Sequence, residues 1–226
     1  MVVPAAPRLV AFDLDGPLLD STEAIVMSVK ECWKACGFAV PKTDRIRRII
    51  GLPWEESICE LIPGAGEKEF TQIRQFYQKF AKGEGNTNSQ KQSLFPGVLE
   101  VLNSLKTAGF LMAIITSRNS NRLEKILENH GINNQFVTFK TTDHGPGKPD
   151  PFLMLQTLEE TGVKKENAVM VGDTTFDIFM ERSAGTTGIG VSWGAHKIDE
   201  LLEAGAERVV EEIGVLPEVI EYLIPR

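Results

Sequence analysis

Residues 9–16 read LVAFDLDG, and this short segment carries the strongest structural and chemical signal in the chain. Its first four residues form an apolar run of the kind that suits a strand buried on both faces. Asp13 and Asp15 follow, and because alternate residues of a strand point the same way, both carboxylates can face one site. Gly16 then lets the chain turn away. Two carboxylates at the end of a buried strand indicate a divalent cation, a nucleophile or an acid/base pair, whereas a solvated loop with an aspartate helix cap is the simpler alternative.

Length and charge limit the classes of protein to which the chain can belong. Its 226 residues fit one large domain or a domain with an insert, and 42% hydrophobic residues are enough for a sizeable core. The net charge of −7 argues against a nucleic-acid or anionic-membrane surface but is compatible with a small phosphorylated ligand. We therefore expect no nucleic-acid partner and no membrane partner. A small phosphorylated metabolite as partner and a monomeric or homodimeric state are further expectations, which the charge does not decide.

The N-terminal residues and the cysteines favour a cytoplasmic protein. The first eight residues contain no basic segment followed by a long apolar one, and no apolar run approaches the roughly 20 residues that span a bilayer. Cys32 and Cys36 are four residues apart on a predicted helix, but no Cys or His cluster stands near them, which favours small buried hydrophobes over metal ligands. Together with Cys59 they form an odd set of thiols, which fits a reducing compartment.

The order of the predicted elements gives an α/β fold with a helical insert. Residues 21–35, 43–50, 54–61 and 67–80 show helical patterning, and Asp20 with Glu23 has the spacing of a capping box. Residues 81–93 are polar and aperiodic and are predicted to be a linker. From Phe95 onward apolar strands alternate with helices, which predicts a Rossmann-like, mostly parallel sheet with helices on both faces. The expected organisation is an α/β core of residues 1–20 and 94–226 with a helical cap at 21–93.

Chemically useful side chains follow the strands that the apolar runs predict at residues 9–12, 110–115, 136–139 and 168–171. They are Asp13 and Asp15, Thr116 and Ser117, Lys148, and Asp173 and Asp177. The carboxyl ends of parallel strands share one edge of a sheet, and ligands of such folds bind there. Each member alone has an ordinary explanation: a helix cap for the hydroxyls, a surface position for the lysine, and a turn or a helix-dipole contact for the last two acids.

As a set, these side chains suit a phosphoryl group held by a divalent cation such as Mg²⁺. Asp13 and Asp173 are the natural ligands of that cation. One carboxylate can be a nucleophile that forms an aspartyl phosphate, and the other can protonate the leaving oxygen and then activate water. Thr116, Ser117 and backbone N–H groups can bind phosphate oxygens, and Lys148 can neutralise charge that develops in the transition state.

Four motifs together resemble those of the haloacid dehalogenase superfamily, and more narrowly its phosphoglycolate-phosphatase-like branch with a helical cap. They are Asp13-Leu14-Asp15-Gly16, Thr116 after Ala113-Ile114-Ile115, Lys148-Pro149, and Gly172-Asp173-Thr174-Thr175-Phe176-Asp177. Three further segments look like that branch: Phe95-Pro96-Gly97, Ile50-Gly51-Leu52-Pro53 and Ser192-Trp193-Gly194. The motifs are weak singly and specific together, and they span nearly the whole chain.

The resemblance implies a role for each matching residue. Asp13 would be the nucleophile and a Mg²⁺ ligand, and Asp15 would be the general acid/base and bind Mg²⁺ through its backbone carbonyl. The phosphoryl group would be bound by Leu14, Asp15, Thr116, Ser117 and Lys148. Lys148 would also orient Asp13. Asp173 would be a Mg²⁺ ligand, and Asp177 would either hold a metal-bound water or contact the ligands without binding the metal itself. True dehalogenases lack the acid/base aspartate, so Asp15 points to phosphoryl chemistry and away from carbon–halogen cleavage.

Near the predicted cap, one residue departs from the family pattern and one arginine is a candidate for substrate binding. Pro17 stands where the family usually has Thr or Val, and its fixed φ is expected to stiffen a segment that flexes as the cap opens. Specificity is expected from the cap, which would close over the site. Three arginines, at positions 45, 47 and 48, precede the break at Gly51. We hypothesise that Arg48, with Gly51 beside it, meets an anionic substrate group, the alternative being a solvated helix face.

The predicted activity is that of a Mg²⁺-dependent phosphatase acting on a small phosphate monoester such as phosphoglycolate. A phosphomutase of the β-phosphoglucomutase kind would share the first step but transfer the phosphoryl group to a sugar instead of water. A non-catalytic binding module that kept the fold is the third alternative. A pure binding module, however, has no need for Asp13, Asp15, Lys148 and Asp173 together.

Overall fold

The structure is a computed structural model that describes residues 6–81 and 92–226. The linker predicted at residues 81–93 lies outside the described residues except at its two ends. Within the described ranges, no helix combines the length and the apolar composition that a membrane span requires.

Among the described residues, six parallel strands form the main sheet, and the strand at residues 9–12 is an interior strand of it. The strands in chain order are β1 (Leu9–Phe12), β2 (Leu19–Asp20), β3 (Ser93–Leu94), β4 (Leu111–Ile115), β5 (Thr138–Lys140), β6 (Ala168–Gly172), β7 (Thr187–Val191) and β8 (Arg208–Val210). The main sheet has the order β5-β4-β1-β6-β7-β8, and every neighbouring pair in it is parallel. This confirms the predicted α/β fold with a parallel sheet.

Helices flank the sheet, and the first four α-helices lie between β2 and β3 in the described part of the chain. The α-helices of the described residues are α1 (Thr22–Ala35), α2 (Thr43–Arg47), α3 (Trp54–Leu61), α4 (Glu67–Ala81), α5 (Val98–Thr107), α6 (Ser120–His130), α7 (Phe152–Thr161), α8 (Thr175–Ala184), α9 (Ile198–Ala204) and α10 (Leu216–Leu223). The bounds of α1, α3 and α4 agree with the helices predicted at residues 21–35, 54–61 and 67–80, and α2 is three residues shorter than the helix predicted at 43–50.

Both faces of β1 are covered, which explains why its sequence is continuously apolar. Val10 and Phe12 belong to a core shared with α5, α6 and α10 on one side of the sheet. Leu9 and Ala11 belong to a second core, shared with α7 and α8 on the other side. A strand of this kind has no solvent-facing side chain, so the alternation typical of half-buried strands is absent.

The strand order reverses at β1, and this reversal places the functional residues. From β1 the sheet grows through β4 to β5 on one side, and the chain then crosses back to β6 on the other side of β1. In open α/β sheets a crevice forms at such a reversal, outside the carboxyl ends of the strands. Asp13 follows β1 and Asp173 follows β6 directly, so both lie at this crevice.

The helices α1–α4, called the cap helices below, have a hydrophobic core of their own. Its buried residues include Val26, Cys32, Trp33, Ile46, Ile58 and Ile73. Cys32 is buried as predicted, while Cys36 is half-buried and Cys59 is exposed. The separate core means that these helices can pack together without contributing to either face of the main sheet.

Two short strands at the junction of the sheet and the cap helices are missing from the sequence-based prediction. β2 pairs with β3 in antiparallel fashion, with Leu19 opposite Leu94. Strands of two residues carry no periodic pattern, so hydrophobic periodicity does not detect them. The predicted capping box of Asp20 and Glu23 is wrong. The N-cap residue of α1 is Ser21, and its side chain makes no capping hydrogen bond. The Ser21 hydroxyl instead donates to Asp15 Oδ1 over 2.5 Å.

Replacing Phe12 with alanine tests the interior position of β1. Phe12 is fully buried, so the Phe12→Ala variant gains a cavity, and we expect its free energy of unfolding to fall by about 3–5 kcal/mol. Urea unfolding followed by circular dichroism measures the change. Tyr222→Ala serves as control, because Tyr222 is 72% exposed, and its effect should stay within about 0.5 kcal/mol. Equal effects of the two substitutions would contradict the interior position of β1.

Candidate active site

The adjacent ends of β1 and β6, the first turn of α8 and the loop between β5 and α7 bring three aspartates and a lysine into one buried group, called the acid–lysine cluster (Asp13, Lys148, Asp173, Asp177). The N–H of Asp13 donates to the carbonyl of Val171 over 2.9 Å, which ties the end of β1 to β6. One carboxylate oxygen from each of the three aspartates lies within 4.8 Å of the others. All four residues are buried. The structure therefore brings together four residues that are up to 164 positions apart in a single small volume.

Lys148 supplies the positive charge of this cluster. Its Nζ lies 2.9 Å from Asp13 Oδ1 and 2.7 Å from Asp177 Oδ1. Burial on its own would lower the pKa of Lys148, but the charges of Asp13 and Asp177 outweigh burial and raise it. Lys148 is therefore protonated at neutral pH and holds the two carboxylates in fixed positions.

Burial makes the acids of the cluster hard to ionise. It raises the pKa of Asp13 to about 7, with Asp177 and Asp15 adding to the increase and Lys148 opposing it. Burial likewise raises the pKa of Asp173 well above its usual value, and repulsion from Asp13 and Asp177 adds to this shift. With all three carboxylates ionised, the single ammonium of Lys148 leaves two negative charges uncompensated. A divalent cation carries the charge that would balance them.

The surroundings of Asp173 fit such a cation. Asp173 Oδ1 is buried and has no hydrogen-bond partner among the described residues, while Oδ2 accepts from the N–H of Ala195 over 2.7 Å. Gly16 and Gly194 approach this carboxylate so closely that a Cβ on either would overlap it. Because a buried oxygen without a donor is costly, and hard cations bind carboxylate oxygens, Asp13, Asp173 and Asp177 could hold a divalent metal ion.

Asp177 is fixed in position by the helix that follows it. The N–H and hydroxyl of Thr174 donate to Asp177 Oδ2 over 3.0 and 2.7 Å, and Thr174 and Asp177 together form the capping box of α8. With Oδ2 engaged in the cap, Oδ1 faces Lys148. The helix-cap explanation for Asp177 and its place in the cluster are thus compatible, since each uses a different oxygen.

Asp15 lies beside the cluster and pairs with Arg118, a residue that sequence reasoning missed. Arg118 Nε donates to Asp15 Oδ2 over 2.6 Å, and its Nη2 donates to Oδ1 over 2.5 Å. Burial on its own would raise the pKa of Asp15, but the Arg118 guanidinium outweighs burial and lowers it. Arg118 directly follows the predicted site residues Thr116 and Ser117. This position after the end of a strand is the sequence feature that could have identified Arg118 as a site residue.

The remaining predicted phosphate-binding residues surround Asp13 and the end of β4. The N–H of Leu14 donates to Asp13 Oδ1 over 2.7 Å. Thr116 is buried, and its Oγ1 accepts from the N–H of Arg118 over 3.3 Å. Ser117 donates to the carbonyl of Gly51 over 2.6 Å, which joins the end of β4 to the segment between α2 and α3. Their contacts with a phosphoryl group stay predictions.

The structure places the predicted cap residues in two different surroundings. Gly51 has a φ of +97° and lies against Thr174, where a side chain would contact the Thr174 hydroxyl. Arg48 is 72% exposed, and its guanidinium pairs with Glu200 over 3.2 Å. The other two arginines also have partners, the carbonyl of Glu60 for Arg45 and the carboxylate of Glu23 for Arg47. A contact between Arg48 and substrate stays a prediction.

A cavity of about 1880 Å³ lies between the cap helices and the end of the sheet. Among its lining residues are Asp13, Asp15, Thr116, Ser117, Arg118, Gly51, Trp54 and Tyr77. Arg48 does not line it. A concave space with a few convergent polar groups is the usual form of a small-molecule site. The predicted residues that follow β1 and β4 therefore face a space that can hold a ligand.

Residues 10–191 match the sequence pattern of the haloacid dehalogenase-like hydrolase family. The chain belongs to this family. The match spans the strand ends that form the acid–lysine cluster and confirms the family predicted from the four motifs.

Individual relatives and a solved structure agree with this assignment. The chain is 29% identical over 221 residues to a phosphoglycolate phosphatase of Vibrio cholerae, covering 94% of this chain and 96% of that protein. It is 33% identical to "Probable phosphatase IndB" of Dickeya dadantii, with coverages of 90% and 89%. The crystal structure of "a predicted phosphatase from Clostridium acetobutylicum" has a TM-score of 0.84 at 25% identity, covering 96% of this chain and 100% of that one. These similarities confirm the predicted fold and the predicted enzyme class, a phosphatase of this family.

Glu181 is a buried acid outside the acid–lysine cluster, and sequence reasoning missed it. It lies on α8 one turn after Asp177, and neither of its carboxylate oxygens has a hydrogen-bond partner among the described residues. Gly188 of β7 provides the space for it, because a Cβ there would overlap the carboxylate. Burial raises the pKa of Glu181 well above its usual value, and the charge of Asp177 adds to the shift. Burial therefore favours the neutral form of Glu181 in the folded protein.

A pH series on Glu181→Gln tests this protonation state. Because the folded-state pKa is raised, the stability that the proton contributes is complete below the unfolded value of 4.5 and is lost as pH rises toward the folded value. We expect the free energy of unfolding of the wild type to fall above that pH relative to Glu181→Gln, by at most about 1.4 kcal/mol per pH unit.

Denaturant unfolding between pH 4 and pH 9 gives the comparison. Glu159→Gln, on the exposed side of α7, is the matched control and should keep the pH dependence of the wild type. A constant difference between the wild type and Glu181→Gln over this range would show that Glu181 does not change its protonation state on folding.

Proposed function

We propose that the chain is a Mg²⁺-dependent phosphatase that hydrolyses a small phosphate monoester through an aspartyl phosphate on Asp13. The observation that carries the proposal is the acid–lysine cluster at the ends of β1 and β6, where Asp13 lies 2.9 Å from Lys148 and close to Asp173. A buried carboxylate held by an ammonium and lining a cavity is placed to act as a nucleophile.

Asp13 begins the reaction by attacking phosphorus. A bond forms between its carboxylate oxygen and phosphorus, and the bond between phosphorus and the leaving oxygen breaks. Lys148 and the N–H of Leu14 both contact Asp13 Oδ1, which fixes the rotation of the carboxylate before attack. The ammonium of Lys148 also offsets the negative charge that the nucleophile and the phosphoryl group bring together.

Asp15 moves the protons of both steps. It donates a proton to the leaving oxygen in the first step, and as a carboxylate it then accepts a proton from water. The water oxygen attacks phosphorus, the bond to Asp13 breaks, and inorganic phosphate leaves. Using one residue as acid and then as base returns the enzyme to its starting state.

The residues of the cluster fit Mg²⁺, with Asp13 and Asp173 as direct ligands and Asp177 in support. Mg²⁺ prefers a small number of carboxylates and keeps several of its waters, which suits this set of oxygens. When bound, the ion would polarise the phosphoryl group and reduce repulsion between that group and the carboxylates. Thr116, Ser117 and the amides of Leu14 and Asp15 are the groups that we propose to bind the phosphate oxygens.

Phosphoglycolate is the substrate that the relatives favour. The Vibrio cholerae relative is a phosphoglycolate phosphatase and aligns over 94% of this chain. Residues 21–93 would form the cap that closes over the site, with the remaining residues forming the catalytic core. A cytoplasmic location and a monomeric or homodimeric state complete the proposal.

The Asp13→Asn variant tests the proposed activity directly. Release of inorganic phosphate from phosphate monoesters, with and without Mg²⁺, is the measurement. We expect activity only with Mg²⁺ in the wild type and a loss of at least about a thousandfold in Asp13→Asn, since removal of an essential nucleophile has effects of this size or larger.

Asp20→Asn is the matched control, because Asp20 lies seven residues away and is exposed. It should retain wild-type activity. Full activity of Asp13→Asn would refute the assignment of the nucleophile. Product that appears only as a phosphorylated sugar, and only with a sugar bisphosphate present, would instead favour the phosphomutase alternative.

A further inference from the structure

The proposed acid/base residue, Asp15, lies on a compact turn, called the β1–β2 turn below (residues 14–19). The N–H groups of Leu18 and Leu19 both donate to the carbonyl of Leu14, over 3.3 and 2.8 Å, and these bonds close the turn on itself. The turn can therefore shift as one unit. The position of Asp15 relative to a substrate depends on what holds this unit against the rest of the core.

Trp193, which follows β7, holds the tip of the β1–β2 turn. Pro17 stands at this tip and has no N–H group, so its carbonyl is its one backbone hydrogen-bonding group. The indole Nε1 of Trp193 donates to this carbonyl over 3.3 Å. Pro17 is buried and Trp193 is half-buried, so little water can replace the indole as donor.

The Asp173 carboxylate lies between the same two segments. Gly16, next to Pro17, and Gly194, next to Trp193, both approach this carboxylate so closely that a Cβ on either would overlap it. The hydrogen bond between the indole and the Pro17 carbonyl therefore joins the two segments beside a proposed metal ligand. Without this bond the β1–β2 turn would be less firmly fixed relative to that ligand.

The ring of Trp193 also contacts the turn indirectly, through Phe95. The two rings pack edge to face with their centroids 6.4 Å apart. The N–H of Phe95 in turn donates to the carbonyl of Leu18 over 3.0 Å. The indole N–H and the ring packing are separate contributions, so a substitution that keeps an aromatic ring tests the N–H group by itself.

We propose that Trp193 is a positioning residue for Asp15, and that it acts through the carbonyl of Pro17. The inference rests on the phosphatase function proposed above, in which Asp15 protonates the leaving oxygen. Trp193 is not among the described residues that line the cavity, so it acts on the reaction through the turn. Arg118 and Ser21 hold the carboxylate of Asp15, whereas Trp193 holds the backbone that carries it.

This role has a specific kinetic signature. As the bond between phosphorus and the leaving oxygen breaks, the proton of the Asp15 carboxyl passes to that oxygen. Proton transfer matters most for a strongly basic leaving group and little for one that is already stable as an anion. If the turn is free to shift, Asp15 is placed less accurately. Hydrolysis of esters with strongly basic leaving groups then slows more than hydrolysis of esters with weakly basic ones.

Two phosphate esters of similar size test the proposal. Benzyl phosphate has a strongly basic alkoxide as leaving group, and 4-nitrophenyl phosphate has a weakly basic phenolate. Phosphate release at saturating Mg²⁺ gives kcat/KM for each, and the value for benzyl phosphate divided by that for 4-nitrophenyl phosphate is called the leaving-group ratio. Asp15→Asn shows the full effect of losing the acid, and we expect this ratio to fall by at least about a hundredfold.

Trp193→Phe removes the N–H group and keeps an aromatic ring beside Phe95. We expect the leaving-group ratio to fall by at least about threefold, the size of one lost hydrogen bond. A purely structural role would slow both esters equally and leave the ratio unchanged. If Trp193→Phe does not fold, 3-benzothienylalanine at position 193 decides by the same ratio, because it keeps the double ring and has sulfur in place of N–H.

Trp33→Phe is the matched control, because it makes the same exchange in the hydrophobic core of the cap helices. It should keep the wild-type leaving-group ratio. Hydrogen exchange followed by mass spectrometry checks the route through the turn. We expect Trp193→Phe to raise exchange in peptides that cover the β1–β2 turn by at least about threefold and to leave β4 unchanged, since only the turn loses a contact.

An unchanged leaving-group ratio in Trp193→Phe, alongside a fall in Asp15→Asn, overturns the inference and leaves the phosphatase function intact. Unchanged hydrogen exchange in the β1–β2 turn also overturns it. An unchanged ratio in Asp15→Asn refutes the acid/base assignment in the proposed function, and the inference with it. Absence of phosphate release from every ester, 2-phosphoglycolate included, refutes the phosphatase function itself.

Discussion

Three buried carboxylates within 4.8 Å of one another repel strongly, and Lys148 is the cation that makes this arrangement tolerable. A buried ion pair costs desolvation energy that its attraction barely repays, so such a cluster is weak as a source of stability. The acid–lysine cluster matters for chemistry and not for stability. Lys148 is held between Asp13 and Asp177 and fixes the proposed nucleophile. Asp173 Oδ1 has no hydrogen-bond partner in the part of the chain that the structure describes, and a carboxylate oxygen of Asp173 lies near those of Asp13 and Asp177. The remaining features of the site follow from this shortage of positive charge.

The sheet delivers these residues because β1 is an interior strand. Helices cover both faces of β1. The residues that follow β1 therefore reach solvent or a ligand at the carboxyl end of the strand. β6 lies next to it in register, and the residues that follow the two strands therefore meet. Gly16 and Gly194 complete the contact, because any side chain at these positions would occupy the space of the Asp173 carboxylate. Gly16 and Gly194 are thus required by packing at the same place where Asp173 is proposed to bind the metal ion.

Much of this arrangement could be predicted from the sequence, for definite physical reasons. Apolar runs that end in acids mark parallel strands and their carboxyl ends, which is enough to group Asp13 and Asp173. Lys148 joins the group because it lies in the loop after the strand predicted at residues 136–139. The antiparallel pair of β2 and β3 could not be predicted, since two residues give no periodicity. The pair of Arg118 and Asp15 joins residues 103 positions apart through side-chain geometry alone, and no local pattern reports it. The burial of Glu181 could not be predicted either, because it depends on the absent side chain of Gly188 on a neighbouring strand.

The account depends on a divalent cation bound between the ends of β1 and β6. Mn²⁺ replaces Mg²⁺ in oxygen sites and is visible by anomalous X-ray scattering, so crystals grown with Mn²⁺ test this claim directly. We predict one anomalous peak within bonding distance of carboxylate oxygens of both Asp13 and Asp173, and its loss in crystals of Asp173→Asn. A well-occupied Mn²⁺ bound elsewhere on the chain, with the acid–lysine cluster empty, would contradict the account.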